Sequence, residues 1–182
     1  MDYRKPSLVL AVIRSLKLHG SWTGKTHVQK SLFLIKTATQ IDVPFTFVLF
    51  KHGPYSFELE TELEQMKSYL AITSEPDPNG YGVVLSPGPG SRFVDERGGL
   101  SEVESTAVGR VCRFVGQRNV AELERVATAA WIRKRERVSD STSVAERLNK
   151  LKPHVSIPDA ERADKELCTL LNWNCGGQRG QS

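Results

Sequence analysis

Between Thr26 and Leu70 the hydrophobic period changes twice, and this constrains the fold more than any other feature. Val28, Leu32, Ile35 and Thr39 recur at three and four residues, the spacing that places side chains on one side of a helix. Phe45, Phe47 and Leu49 then alternate with Thr46, Val48 and Phe50, an aromatic and β-branched stretch that reads as a buried strand after Pro44. Leu59, Leu63, Met66 and Leu70 return to the helical spacing, behind Ser56 as a cap. Lys51-His52-Gly53-Pro54 separates strand from helix as a turn. A chain that changes period in this way is neither a plain helical bundle nor a β-sandwich. It is α+β.

The flanks extend the pattern. Lys5 to Leu18 reads as a helix, stopped by His19-Gly20, and the second helix runs from about Thr26 to Gln40. After the third helix, Leu70 to Thr73 and Tyr81 to Leu85 form a hairpin around Glu75-Pro76-Asp77-Pro78-Asn79-Gly80. Helix, helix, strand, helix, hairpin is the element order of many winged-helix domains, and the first 97 residues are expected to form such a core. From 98 to 172 the chain turns helical. Ser101-x-x-Glu104 and Asn119-x-x-Glu122 are capping boxes, and Ser143-x-x-Glu146 opens a shorter helix. Val103, Ala107, Val111 and Phe114 form the expected stripe of the first of these. Pro158 suits the first turn of the last one. The Gly- and Gln-rich stretch 173–182 reads as a disordered tail. The expected fold is therefore predominantly helical, with a winged-helix-like core, a small β-hairpin and a helical C-terminal extension packed on the core.

Composition narrows the function classes. The 182 residues suffice for one domain with its own core. The 25 Lys and Arg against 21 Asp and Glu leave +4, which permits an acidic partner but demands none. Leu8 to Ile13 is too short an apolar run to span a bilayer, and Arg14 follows it, so a cytoplasmic protein without membrane contact is expected. Cys112, Cys168 and Cys175 share no zinc-type spacing and read as idle thiols. The four histidines show no i, i+4 pair, so no metal and no cofactor is expected. The stretch Gly20 to Thr26 has one residue too few between its glycines for a phosphate loop. No Gly-x-Ser-x-Gly elbow occurs.

Charge is unevenly placed. Glu58, Glu60, Glu62 and Glu64 crowd the third helix, which would repel phosphates if it lay in a DNA groove. They form either a solvated acidic face or a surface for a basic protein. Arg110, Arg113, Arg125, Arg133, Lys134 and Arg135 gather in the extension, where a nucleic-acid patch and simple helix C-terminal charges are alternatives.

Two segments carry a family resemblance. Lys25 to Phe33 resembles the helix of YwgA-type and Panacea (SocA-like antitoxin) domains that reads approximately Leu-Gln-Lys-Leu-Leu-Tyr. Val28, Gln29, Lys30, Leu32 and Phe33 match, while Ser31 replaces an apolar residue. His52-Gly53-Pro54-Tyr55-Ser56, followed by Leu59 and Leu63, resembles the Gly-Pro turn opening the next helix in those domains, closest to the YwgA-type branch. The likeness spans about Leu8 to Asp95. It implies a small bacterial or phage-borne module of toxin–antitoxin or defence systems that acts by binding a partner protein and brings no enzymatic activity with it. Its partner surface would comprise Gln29, Lys30, His52, Gly53, Pro54, Tyr55, Ser56 and Glu58. Two other readings stay open: a nucleic-acid-binding regulator using the basic stretch from Arg110 to Arg137, and an enzyme on nucleic acid or nucleotide built around Lys25, His27 and His52.

Overall fold

The apolar run near the N-terminus becomes the centre of the molecule. In the computed structural model, which describes residues 3–172 except positions 79, 81 and 117, Leu8, Val9, Leu10, Val12, Ile13 and Leu16 of α1 (Arg4–Leu18) are all buried. A helix apolar on so many sides must be surrounded. α1 packs against α2 (Lys25–Ala38), α3 (Phe57–Ser68), α4 (Ser91–Arg97) and α5 (Glu102–Val115). α6 (Val120–Arg135) lies on α2 and also meets α7 (Ser141–Leu151) and α8 (Ile157–Leu171). Two antiparallel hairpins complete the described residues: β1 (Val48–Phe50) with β2 (Gly53–Tyr55), and β3 (Ile72–Pro76) with β4 (Val83–Pro87). The protein is thus a mostly helical α+β fold. No helix among the described residues is long and apolar enough to cross a membrane. The tail read over 173–182, Cys175 within it, and the hairpin residues Asn79 and Tyr81 lie outside the described residues.

Helix starts follow the caps. Ser56 Oγ accepts from Leu59 N at 3.2 Å. Ser101 with Glu104, and Asn119 with Glu122, form reciprocal capping boxes. Ser156 caps α8, with Pro158 in its first turn. Each such cap contributes about 1 kcal/mol.

Departures from the sequence reading have physical causes. The expected strand from Phe45 shortens to Val48–Phe50 because the preceding backbone is held by side chains. Lys36 Nζ donates to Val43 O at 2.8 Å and Phe45 O at 2.7 Å, and Thr46 N donates to Glu58 Oε2 at 2.9 Å. Phe45 and Phe47 are still buried. Gly53-Pro54-Tyr55, read as turn, instead pairs with β1. Pro54 is tolerated there because the sheet has only two strands, both of them edges. Leu70 does not continue the α3 stripe: at φ 59° it ends the helix, and it is exposed. The buried stripe of α5 is Val108, Val111, Cys112 and Val115, whereas Val103 is in solvent. α4 carried no sequence signal, and α7 begins earlier than expected, capped by Asp140. Cys112 is buried and its thiol is pushed up to about 12 by desolvation; Cys168 is disulfide-bonded and so not an idle thiol.

Candidate functional site

The two resembling segments meet in space. Gln29 on α2 holds Ser56 by both ends of its amide: Nε2 donates to Ser56 O and Oε1 accepts from Ser56 N, each at 2.9 Å. The next residue, Lys30, donates from Nζ to Pro54 O at 2.8 Å. All of these groups are buried. The Gln-Lys pair and the Gly-Pro-Tyr-Ser run are therefore two halves of one fastening, which fixes β2 and the start of α3 against α2. The third support comes from α6. Gly53 sits at φ +87°, and a Cβ there would meet Thr128 Oγ1 at 2.9 Å. Gly53→Ala should accordingly cost about 2–3 kcal/mol in urea unfolding, from the left-handed backbone and the contact with α6 together. A change below about 0.5 kcal/mol would mean that the turn is not pressed against that helix.

Beside the fastening opens a cavity of about 410 Å³ between α2, the β1–β2 hairpin, α3 and α6. Its cationic lining is Lys25 and Lys30, its acidic lining Glu60 and Glu124, and its apolar walls are Phe50 and Val120. Lys25 Nζ contacts Glu60 at 2.5 Å and Glu64 at 3.0 Å, and these bonds hold its ammonium above the usual lysine range. Tyr55 Oη donates to Glu60 Oε2 at 3.2 Å. Glu124 is engaged on both oxygens, by His52 Nδ1 at 2.9 Å and by Lys152 Nζ at 3.6 Å. Lys30 differs. Desolvation pushes it down to about 8, against the upward pull of Glu124 and with a further lowering by Lys152.

Phe50 and Tyr55 line the cavity, and Phe57, which packs on both rings, extends this aromatic mouth. Phe50 and Phe57 are 56% and 58% exposed, yet they touch each other at 5.6 Å between centroids, and both touch Tyr55, at 5.8 and 5.1 Å. Val48, also exposed, lies on the same short strand as Phe50.

The structure sorts the anticipated site residues. His52, Tyr55 and Glu58 reach the surface. Gln29, Lys30, Gly53, Pro54 and Ser56 are buried, so they build the surface rather than form it, because their polar groups bond one another. Glu58 is turned back onto Thr46. Lys25 and His52 share the cavity, but His27 does not. It is buried on another side, with Nε2 donating to Arg118 O at 3.1 Å, next to a second cavity lined by Trp22 and Asn119. Burial lowers its pKa, against a smaller upward pull from the bond to Arg118 O, which favours the neutral ring.

The basic stretch is dispersed. Arg133 is buried against Asp164, with Nε to Oδ1 at 2.5 Å and Nη2 to Oδ2 at 2.6 Å, so it is a core ion pair and not a surface cation. Arg110 spends its guanidinium on Leu170 O and Ala38 O. Arg125 lies among Glu122, Asp159 and Glu166. Arg113, Lys134 and Arg135 remain exposed, and Arg135 lies 5.7 Å from the Trp131 ring.

Sequence reasoning passed over Phe50, Phe57, Glu124 and Thr128 as site residues, and placed Glu60 only on the acidic face of the third helix. Phe50 alternated with buried aromatics and so read as core. Glu124 and Thr128 sit one turn apart on α6 and carry no local signal that they face β2. No family model matches this chain, and no curated protein aligns with it significantly.

Proposed function

We propose that this chain is a non-catalytic interaction module that binds a partner protein through the aromatic mouth formed by Phe50, Tyr55 and Phe57. The observation that carries this reading is the cluster itself: three contacting rings, two of them more than half exposed, on a backbone pinned by Gln29 and Lys30. Rigid exposed aromatics gain much from burial and lose little conformational entropy, which is why they dominate protein interfaces. The acidic groups of α3 border this mouth and favour basic residues at the partner's edge, although Lys25 offsets part of their charge.

In this reading the segment from α1 to α4 is a winged-helix-like core of the YwgA/Panacea kind. Its α3 is too acidic to read DNA, so it serves protein recognition in a bacterial or phage-borne antitoxin-like or regulatory role in the cytoplasm. The helices after residue 98 brace the core, and α6 supplies Val120 and Glu124 to the site. The nucleic-acid alternative draws less support, since Arg133 and Arg110 are committed to internal bonds.

The test is a capture experiment from the native cell, followed by affinity measurement on the identified partner. Phe50→Ala with Phe57→Ala should weaken the complex by about 2 kcal/mol or more, roughly thirtyfold, with an unchanged circular dichroism spectrum. Equal affinity of wild type and double variant would refute the assignment, as would salt-dependent capture of nucleic acid alone.

A further inference from the structure

Lys30 is the most unusual charged group in the molecule. It is 2% exposed, yet among the described residues its ammonium has a single hydrogen-bond acceptor, Pro54 O at 2.8 Å, and no carboxylate within 4.0 Å. An ammonium carries three donors, and a buried charge without a counter-ion is costly. The acid whose charge acts on it, Glu124, has both oxygens turned to His52 and Lys152. The side chain nevertheless lines the 410 Å³ cavity, a volume in the range that holds a small organic ligand.

We infer that this cavity binds a monocarboxylate bearing an aromatic or apolar group, with the carboxylate seated on the Lys30 ammonium and the apolar body against Phe50, Tyr55 and Val120. Charge count favours one negative charge over two. In the lining Lys25 and Lys30 balance Glu60 and Glu124; Lys152, outside the lining but 3.6 Å from Glu124, gives a surplus of one, with Glu64, 3.0 Å from Lys25 and largely in solvent, left out of the count. A phosphate dianion would overdraw that surplus and face two carboxylates at close range. A carboxylate oxygen can accept a charge-assisted bond from a donor that Lys30 leaves unused. The downward displacement of Lys30 to about 8, set first by desolvation, agrees with an ammonium buried without a carboxylate bonded to it. The ligand chemistry is shared by a free carboxylic acid and by the C-terminal residue of a peptide. The inference does not depend on the protein-docking proposal, since it concerns direct binding of small probes.

The experiment titrates the full chain with 3-phenylpropionate, its neutral amide, inorganic phosphate, and a short peptide ending in phenylalanine with free or amidated terminus. Binding is read by calorimetry and by protection of Lys30 from amine acylation, mapped by mass spectrometry. The free acid or the free-terminus peptide should bind at least tenfold tighter than its amide and tighter than phosphate, and should protect Lys30 selectively. Whichever carboxylate binds tighter identifies the source. Lys30→Met should weaken binding at least tenfold. Because that variant also removes the bond to Pro54 and risks misfolding, Phe50→Ala is the companion, expected to weaken binding several-fold with the fold retained. Equal binding of acid and amide, no binding of any carboxylate at 10-millimolar scale (about 10 mM), or binding without protection of Lys30 would overturn the inference.

Discussion

Arg133→Ala should lower unfolding stability by about 3–5 kcal/mol, enough to threaten a domain of ordinary stability. The expectation follows from Asp164, whose carboxylate has no solvent exposure and whose two oxygens both receive Arg133. Removing the guanidinium leaves that charge buried and unpaired, and it also frees Ser139 O and Ser141 Oγ from their donor. Urea denaturation of the two variants Arg133→Ala and Arg113→Ala separates the possibilities. Arg113 is exposed, so its loss should fall within about 0.5 kcal/mol. A double variant, Arg133→Met with Asp164→Leu, should recover most of the stability, because an apolar pair of similar volume carries no desolvation cost. A small effect of Arg133→Ala would return this residue to the surface and revive a basic patch on α6.

The second large effect is expected at Gln29. Replacing it with leucine keeps the volume and removes two hydrogen bonds at once. The Ser56 N–H would then be buried without a partner, at a cost of roughly 1–3 kcal/mol, while Ser56 O would keep Glu60 N at 3.2 Å and lose a second bond worth about 1 kcal/mol. Gln29→Leu should therefore lose about 2–4 kcal/mol in thermal or urea unfolding. Hydrogen exchange gives the sharper readout. Ser56 and Tyr55 amides should lose protection more than amides of α8, which lies far from the fastening in the chain. Uniform loss across the protein, or none, would show that Gln29 does not secure this turn. Gln29→Glu makes a useful comparison, since it keeps the acceptor for Ser56 N but forfeits the donor to Ser56 O.

These two positions illustrate where sequence reasoning succeeded and where it could not. Gln29 was singled out because a short motif resembled one in known domains, but nothing local indicated that its amide pairs with Ser56. A motif records which residues recur; the partner across space is set by how α2 meets the hairpin. Arg133 was grouped with Lys134 and Arg135 because they adjoin in sequence. On a helix, adjacent residues point about a quarter-turn apart, so one of three consecutive cations can enter the core while its neighbours stay in water. Adjacency in sequence is a poor guide to a shared surface patch on a helix. The same geometry explains α5, where the apolar residues allowed more than one stripe and contact with α1 selected Val108, Val111, Cys112 and Val115.

Local signals determined much of the rest. Side-chain caps at Ser56, Ser101 and Asn119 act within three residues, so they are legible in the sequence and they start helices where expected. The period change between Thr26 and Leu70 likewise encodes helix, extended segment and helix, since periodicity is a property of the backbone repeat alone. What only the tertiary structure decided is what depends on distant neighbours: the shortening of β1 under Lys36 and Glu58, the second strand at Gly53, the inward turn of Arg133, and the cavity that joins Lys25 and Lys30 to Glu124. Burial and charge pairing are relations between segments far apart in the chain. They arise only once α6 has closed over α2 and the hairpin.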